Sequence, residues 1–377
     1  MNFITRLFTR VKPLPEGTHH KQDVEDEKPY RLHLRLGADG SGVLVVNAST
    51  VLHLNPTAAE YAYHFIKGTA PEEAAREVSA RYRVDRPTAL ADFADFADRI
   101  RTLITTPDLD PVSFLDFDRA SPHSAELTAP LRLDCALTYE LPPGSKGGYA
   151  PDKRVDRELS TGEWGDILDK AWAAGIPHIT LTGGEPTLRA DLPDLIARAE
   201  QNGQVCGLLT DGLMLSDKGY LDILLQTGLD HVLLVLQPDN PQSWTAIETI
   251  LPEDLFLTVH FTVTAANVKT APEVIRRLAS MGVRNLSLST AATGLAAELQ
   301  ELRSLANALN LTLRWDLPVP YSEANPVTLE TKPDEVPAGA GHAWMYVEPD
   351  GDVLPAQGMA GSVLGNFLRD PWEKIHP

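Results

Sequence analysis

Hydrophobic and polar residues alternate along three short runs near the start of the chain, and this alternation predicts strands. The runs are RLHLRL, GVLVV and TVLHL, separated by Gly, Asp, Ser and Asn residues. Three amphipathic stretches follow and predict helices, each opened by a proline or a capping residue. Residues 28–106 are therefore predicted to form a small α+β, winged-helix-like domain. Residues 1–27 are predicted to be a tail and linker: residues 3–12 have the pattern of a short amphipathic helix, and the polar run from residue 17 to residue 29 lacks a period.

A second pattern starts at residue 131, where apolar runs of strand length alternate with amphipathic stretches of helix length. Seven runs predict strands: LRLDCALTYE, HITLTGG, VCGLLTDG, HVLLVLQ, LFLTVHFTVT, NLSLST and LTLRWDLPV. Because alternating strands and helices build parallel sheets, residues 131–334 are predicted to form an α/β fold, a partial (β/α) barrel. Residues 107–130 are predicted to be a connector. Residues 335–377 contain one predicted hairpin, with Asp350 and Gly351 at its turn.

The composition excludes several classes of protein. The chain has 377 residues, and its 43% hydrophobic and 23% charged residues are typical of a folded globular protein. The net charge of −19 disfavours binding to nucleic acid and favours a basic partner. Since no apolar segment approaches the ~20 residues of a membrane span, we expect a cytoplasmic protein without stable membrane insertion.

The sharpest local motif is Gly183-Gly184-Glu185-Pro186, which follows the second predicted barrel strand. Paired glycines let backbone amides approach a ligand closely, a carboxylate can hold an ammonium group, and proline rigidifies the end of the strand. From these residues alone, a tight turn without a ligand is the alternative.

With this motif, the chain resembles the radical SAM superfamily over roughly residues 131–316. The segment LRLDCALTYE is similar to the first strand of that family, and LLTDGLMLSDKGYLDILLQTGLDHVLLVLQ is similar to its Thr-Asn-Gly stretch. The resemblance implies a vestigial S-adenosylmethionine site, formed by Gly183, Gly184, Glu185, Pro186, Thr210 and Asp211.

The chain departs from that family at the positions that hold iron. In the family, a Cys-x3-Cys-x2-Cys loop after the first strand supplies three thiolates to a [4Fe–4S] cluster. The same spacing here falls on Leu141, Ser145 and Gly148, and the only cysteines, Cys135 and Cys206, lie within predicted strands. Leucine and glycine cannot ligate iron, and serine is a poor substitute for thiolate. The cluster is therefore predicted to be absent.

The C-terminal segment resembles the SPASM or twitch extension of peptide-modifying radical SAM enzymes. In those enzymes, cysteines on either side of the hairpin ligate auxiliary clusters. The matching positions here are Ala338 and Ala356, so this segment too is predicted to hold no metal.

Residues 28–103 resemble the peptide chaperone of pyrroloquinoline quinone biosynthesis (PqqD), a RiPP recognition element. The resemblance rests on GVLVVNASTVLHLNPTAAEYAYHFIKGTAPEEAAREVSARY. Members bind a leader peptide as an added strand, against their last helix. This implies a peptide-binding edge at Val51, Leu52, His53 and Leu54, with the helix over residues 89–103 as the other wall. A module that only packs on its own barrel is the alternative.

These observations predict a leader-peptide-binding pseudoenzyme, a scaffold or presenter in the maturation of a ribosomally made peptide. An intact radical SAM maturase would then be its catalytic partner. The alternative is an enzyme that binds S-adenosylmethionine and either completes a cluster with a partner's thiols or performs polar chemistry. For polar chemistry the candidate acids and bases are Tyr139, Glu140, Glu185 and Asp211. An inert remnant, retained for stability or assembly, is the third possibility.

Overall fold

The chain divides into two units, Met1–Thr128 and Ala129–Pro377. The structure is a computed structural model that describes residues 12–47, 50–106, 109, 127–143, 153–154, 156–290, 293–314, 339–359 and 361–376. The elements of the first unit are β1 (Gly17–Glu25), β2 (Lys28–Leu36), β3 (Gly42–Val46), β4 (Thr50–Leu54), α1 (Pro56–Lys67), α2 (Pro71–Arg81) and α3 (Arg86–Thr105).

The three strands and three helices predicted for the first unit are confirmed as β2–β4 and α1–α3. The linker predicted before residue 28 is wrong, because residues 17–25 form β1 and pair antiparallel with β2. Asp26 and Glu27 join the two strands with φ angles of 49° and 65°, the positive values that a two-residue hairpin turn requires. Asn-Gly or Asp-Gly normally signals this turn, so the Asp-Glu pair concealed the hairpin.

The sheet of the first unit has the order β1-β2-β3-β4, which leaves β1 and β4 at its two edges. One face packs against the helices and buries Leu34, Leu44 and Val78. Helix α1 contacts all four strands, including β4, whereas the contacts of α3 are with β1 and β2, at the end of the sheet away from β4. The edge predicted at residues 51–54 is therefore present, and α1 is the helix beside it.

The second unit is built on one sheet of ten strands. Its strands are β5 (Arg132–Ala136), β6 (His178–Thr182), β7 (Val205–Thr210), β8 (His231–Val235), β9 (Phe256–Val263), β10 (Asn285–Thr290), β11 (Thr312–Leu313), β12 (Trp344–Val347), β13 (Asp352–Leu354) and β14 (Gly365–Asn366). Its helices are α4 (Thr161–Ala173), α5 (Leu192–Asn202), α6 (Lys218–Gln226), α7 (Pro241–Ile250), α8 (Ala271–Met281), α9 (Ala296–Ala308) and α10 (Trp372–Ile375).

The seven predicted barrel strands are confirmed as β5–β11, and neighbours in this series pair in parallel. The sheet order is β11-β10-β9-β8-β7-β6-β5-β12-β13-β14, so the sheet follows chain order as a partial barrel. One face packs against the helices through a core that includes Leu133, Leu181, Leu208 and Leu234. None of the helices that the structure describes is long and apolar enough to cross a membrane.

The predicted C-terminal hairpin is confirmed as β12 and β13, with Gly351 at its turn in a positive φ of 88°. In addition β12 pairs in parallel with β5, so the hairpin extends the barrel sheet. This pairing was not predicted, because strands far apart in the chain carry no local signal of their contact. Most of the predicted connector, residues 107–130, lies outside the described residues.

Two histidines meet across β7 at the amino-terminal side of the parallel sheet. The Nε2 atoms of His178 and His231 are 2.7 Å apart, and burial lowers the pKa of both imidazoles, that of His231 to about 4. Gly207 lies between them, and a Cβ atom at Gly207 would come within 2.0 Å of the His231 ring. This glycine therefore makes room for a neutral imidazole pair.

We expect Gly207→Ala to lower the free energy of unfolding by about 1–3 kcal/mol, because the new methyl group would overlap the His231 ring. Gly165→Ala in α4 is the matched control. A Cβ atom there meets nothing within 4 Å, and alanine favours a helix interior over glycine by up to ~1 kcal/mol. Urea unfolding measures both variants. A Gly207→Ala protein as stable as the unmodified protein would contradict this packing.

Candidate functional site

The Gly-Gly-Glu-Pro loop lies against the loop that follows β5. The Gly184 amide donates to the Thr138 carbonyl at 2.7 Å, and the Glu185 amide donates to the Glu140 carbonyl at 2.7 Å. A Cβ atom on Gly184 would lie 2.0 Å from that Glu140 oxygen, and Gly183 has a φ of 125°. Both positions therefore require glycine. These amides were predicted to approach a ligand, and instead they join the loops after β5 and β6.

The Glu185 carboxylate is fully buried and accepts four hydrogen bonds from within the chain. Its Oε1 accepts from the Thr187 amide at 3.0 Å, the Thr187 hydroxyl at 2.6 Å and the Thr210 hydroxyl at 2.7 Å. Its Oε2 accepts from the Asp211 amide at 2.7 Å. Glu185 thus connects the carboxyl-terminal ends of β6 and β7.

Burial raises the pKa of Glu185, and the nearby Asp211 carboxylate adds to the effect, to about 7. Asp211 itself is buried, and its Oδ1 accepts from the Leu213 amide at 3.0 Å. The structure therefore brings together Glu185, Thr210 and Asp211 of the predicted cofactor site. The two carboxyl groups are close enough to disfavour each other's ionisation, so a bound cation would favour their ionised forms.

The raised pKa of Glu185 predicts a pH dependence of stability. The pKa of Glu185 is about 7 in the folded chain, whereas the ordinary value is 4.5. Protonation of Glu185 therefore favours the folded state. Its contribution is complete below pH 4.5 and is lost as the pH rises through 7. We expect the free energy of unfolding to fall by up to ~3 kcal/mol between pH 5 and 8. Urea unfolding at each pH measures it, and Glu185→Gln should remove this component. An equal slope in both proteins would contradict the assignment.

Tyr139 forms a hydrogen bond with Glu348, a residue that the sequence analysis did not identify. Its hydroxyl donates to Oε2 of Glu348 at 2.5 Å, and its amide donates to Oε1 of Glu158 at 2.8 Å. Burial and the Glu348 carboxylate raise the pKa of Tyr139, so it stays protonated and does not serve as a base. The only sequence signal for Glu348 was its place directly after a predicted strand. Glu140, the neighbouring candidate, has an exposed side chain.

The first predicted ligand position, Leu141, lies in an apolar cluster. Leu141 is half-buried and packs against a set of aliphatic side chains on β7 and β8, which are Leu209, Leu233 and Val235. At the C-terminal hairpin, Ala356 is 3% exposed. The other three predicted positions lie outside the described residues: Ser145, Gly148 and Ala338.

Both cysteines of the chain are buried in the sheet, on strands that β6 separates. Cys135 lies on β5 and Cys206 on β7, and each is 0% exposed. Burial raises the pKa of the Cys135 thiol well above its usual range. Throughout the part of the chain that the structure describes, no three His, Cys, Asp or Glu residues are grouped as metal ligands.

The chain is similar in sequence to one protein family and to curated proteins of known activity. Residues 135–306 match the Radical SAM superfamily. A PqqA peptide cyclase from Methylobacterium sp. (strain 4-46) is 28% identical over 262 residues, which are 61% of this chain and 67% of the relative.

Solved structures of SuiB from Streptococcus suis have the same fold. One matches with a TM-score of 0.60 at 17% identity and covers 92% of this chain and 87% of SuiB. SuiB bound to the precursor peptide SuiA matches with a TM-score of 0.57 at 15% identity, covering 90% of this chain and 85% of that one. The chain therefore has the partial-barrel fold that its sequence predicts, and residues 135–306 are similar to the Radical SAM superfamily.

Proposed function

We propose that this chain is a leader-peptide-binding pseudoenzyme that presents a ribosomally made precursor peptide to an intact radical SAM maturase. Two comparisons support a peptide partner, since one relative is a PqqA peptide cyclase and one structural neighbour is bound to its precursor peptide. The first unit, with strands followed by three helices, supports a PqqD-like role in peptide binding. The proposed division of labour leaves the radical chemistry to the partner.

One observation carries the proposal: the residues of this chain do not fit a [4Fe–4S] cluster. Such a cluster needs three thiolates from the loop after β5, and the whole chain has two cysteines. Both are buried within strands, and burial disfavours the thiolate form of Cys135. Leu141, at the first ligand position, lies instead among aliphatic side chains.

The Gly183-Gly184-Glu185-Pro186 motif has a structural role that needs no cofactor. Glu185 accepts four internal hydrogen bonds, and Gly184 allows the loop after β5 to approach. A chain that had lost its cluster would still need both residues to hold its strand ends together. We therefore propose a vestigial cofactor site, at which S-adenosylmethionine binds weakly or not at all.

The edge of β4 supports the docking part of the proposal. In an antiparallel sheet the N–H and C=O groups of one residue point to the same neighbouring strand, and successive residues alternate. The Asn47 amide bonds to the Arg31 carbonyl, so odd residues of β2 bond to β3. It follows that Leu44 of β3 bonds to Leu52 of β4.

This register decides which β4 groups are free for a peptide. Leu52 and Leu54 bond to β3 and have buried side chains, whereas the amides of Val51 and His53 point away from β3, towards the edge. An extended peptide would therefore pair with Val51 and His53. The substitution Leu52→Pro would remove no donor from this edge, because the Leu52 amide belongs to the β3–β4 ladder.

Anaerobic reconstitution with iron and sulfide tests the pseudoenzyme proposal. We expect the purified chain to retain no more iron than a matched Cys135→Ser/Cys206→Ser double variant, because neither thiol is placed to bind a cluster. Iron quantification and absorption spectra measure the result. About four irons per chain in the unmodified protein, lost in the double variant, would contradict the proposal.

A second candidate function is an enzyme that binds S-adenosylmethionine and performs polar chemistry. The buried carboxyl groups of Glu185 and Asp211 at adjacent strand ends favour it, because a buried acid pair can hold an ammonium group. Calorimetric titration of the iron-free protein with S-adenosylmethionine separates the two candidates. Micromolar binding that Glu185→Gln weakens would favour the enzyme, and no heat of binding favours the pseudoenzyme.

A further inference from the structure

The face of β1 that points towards the helices is polar, whereas the same face of the neighbouring strand β2 is apolar. On the side that faces the helices, Leu34, Leu32 and Tyr30 of β2 lie opposite His19, Lys21 and Asp23 of β1. All three β2 side chains belong to the buried core of the first unit, whereas no residue of β1 does. The strand is thus paired through its backbone without sharing in the core.

The side chains of β1 cover aromatic rings that belong to the core or line it. The Lys21 ammonium lies 5.7 Å from the ring centroids of both Tyr30 and Phe65. His19 packs edge-on against Tyr63 at 4.9 Å. A lysine stem and an imidazole bury less apolar surface at such positions than leucine or valine would, and they take polar groups partly out of water.

The turn that connects β1 to β2 also lowers the stability of the pairing between these strands. The turn residues Asp26 and Glu27 both have positive φ, a conformation that side chains other than glycine, asparagine and aspartate adopt at a cost. Besides the backbone pairing and its contacts with α1 and α3, β1 has an ion pair at its far end, where Arg101 of α3 lies 3.5 Å from Glu25 at the surface. An exposed ion pair of this kind contributes little to stability.

We propose that β1 is an exchangeable strap on the edge of β2, and that an extended peptide with apolar side chains at every second position replaces it. The inference rests on the proposed function, in which this unit binds peptides. An incoming strand would make the same backbone hydrogen bonds as β1. Its inward side chains would in addition pack on Tyr30, Leu32 and Phe65, the residues that Lys21 now covers or lies opposite.

Protection of the sheet edge against aggregation is the alternative explanation of the polar face. Inward-pointing charges on an edge strand prevent further strands from adding to the sheet. On that explanation β1 stays in place permanently. The two explanations differ in whether fixing β1 to β2 changes peptide binding.

A reversible covalent lock can fix β1 in place. Even residues of β2 bond to β1, since odd residues bond to β3, so Gln22 and Arg31 form a non-hydrogen-bonded pair. The Cα atoms of such pairs are close enough for a disulfide. We therefore choose Gln22→Cys/Arg31→Cys, whose oxidised form holds the strap and whose reduced form is its own control. The native cysteines do not compete, because both are buried in the second unit.

The probe is a fluorescein-labelled peptide, GTLHLQLVE, which is the β1 sequence with leucine at the three inward positions. The matched control peptide is the native sequence GTHHKQDVE. We expect fluorescence anisotropy to show at least tenfold tighter binding of the leucine peptide to the reduced double variant than to the oxidised one. The native peptide should bind more weakly than the leucine peptide. Equal affinity in the two redox states, or no binding to either, would overturn the exchange and favour protection against aggregation as the role of the polar face.

Hydrogen exchange supplies a second measurement that needs no peptide. If β1 exchanges, the amides of His19 and Lys21 should lose protection together and much faster than those of Leu44 and Val46 in β3. Equal protection in β1 and β3 would overturn the strap.

Failure of the strap and failure of the proposed function are distinguishable. If redox state has no effect but His53→Pro prevents binding of the precursor peptide, the strap is wrong and the β4 edge is the docking site. If the leucine peptide exchanges with β1 but the precursor peptide binds nowhere, the exchange stands and the proposed function is wrong.

Discussion

Glu185→Ala is expected to lower the free energy of unfolding by at least ~3 kcal/mol. The substitution leaves four donors without their acceptor, and each unsatisfied buried donor costs roughly 1–3 kcal/mol when no water replaces the partner. It also removes the connection between the ends of β6 and β7. We expect Thr187 and Thr210 to shift most, since both donate to Oε1.

The matched control is Glu185→Gln, which keeps an oxygen for the three donors to Oε1 and loses the bond from the Asp211 amide. It should cost roughly 1–2 kcal/mol at pH 6. Urea unfolding followed by circular dichroism compares the variants. If alanine cost no more than glutamine, Glu185 would not be the structural link between the strands. Glu185→Gln is also the safer variant for testing whether peptide binding is independent of the barrel.

His53→Pro is expected to weaken binding of the precursor peptide by roughly 10- to 100-fold. The proline removes an amide that points to the open edge of β4, and its ring occupies the place of an added strand. Loss of one hydrogen bond with a buried acceptor left unpaired corresponds to about 1–3 kcal/mol. The probe is a precursor peptide selected, among the short peptides of the source genome, for binding to the unmodified protein; it is labelled at its carboxyl end, and fluorescence anisotropy measures its affinity.

Two further variants serve as controls for His53→Pro. His53→Ala retains the amide and should bind within a fewfold of the unmodified protein. Leu52→Pro breaks the pairing with Leu44 inside the sheet, so it should lower stability as well as binding. Unchanged affinity in a folded His53→Pro protein would exclude β4 as the docking edge.

The internal contacts of the Gly-Gly-Glu-Pro motif explain why the chain can have this motif without cysteines at the cluster-ligand positions. Gly184 and Glu185 survive at positions where backbone approach and hydrogen bonding demand them. Leu141, at the first position of the cluster-ligand spacing, packs against aliphatic side chains of β7 and β8. All of these contacts are internal to the chain, so the packing of the barrel at this point does not depend on a bound cluster.

The sequence alone determined most of the fold, because periodicity is a local property. Alternating apolar and polar residues predicted β2–β4, and apolar runs of strand length predicted the seven parallel strands β5–β11. Amphipathic stretches with capping residues such as Asn55 predicted the helices. The count of two cysteines, and with it the misfit to a three-thiolate cluster, is also a property of the sequence alone.

Tertiary structure decided the features that depend on residues distant in the chain. The hydrogen bond from Tyr139 to Glu348 and the pairing of β12 with β5 join segments about 200 residues apart, which no periodicity encodes. The strand β1 was missed because its inward positions are polar, so the alternation that signals a strand is absent. Its existence depends on backbone pairing with β2. The amides that β4 presents at the edge follow from the register of three strands, which only the assembled sheet specifies.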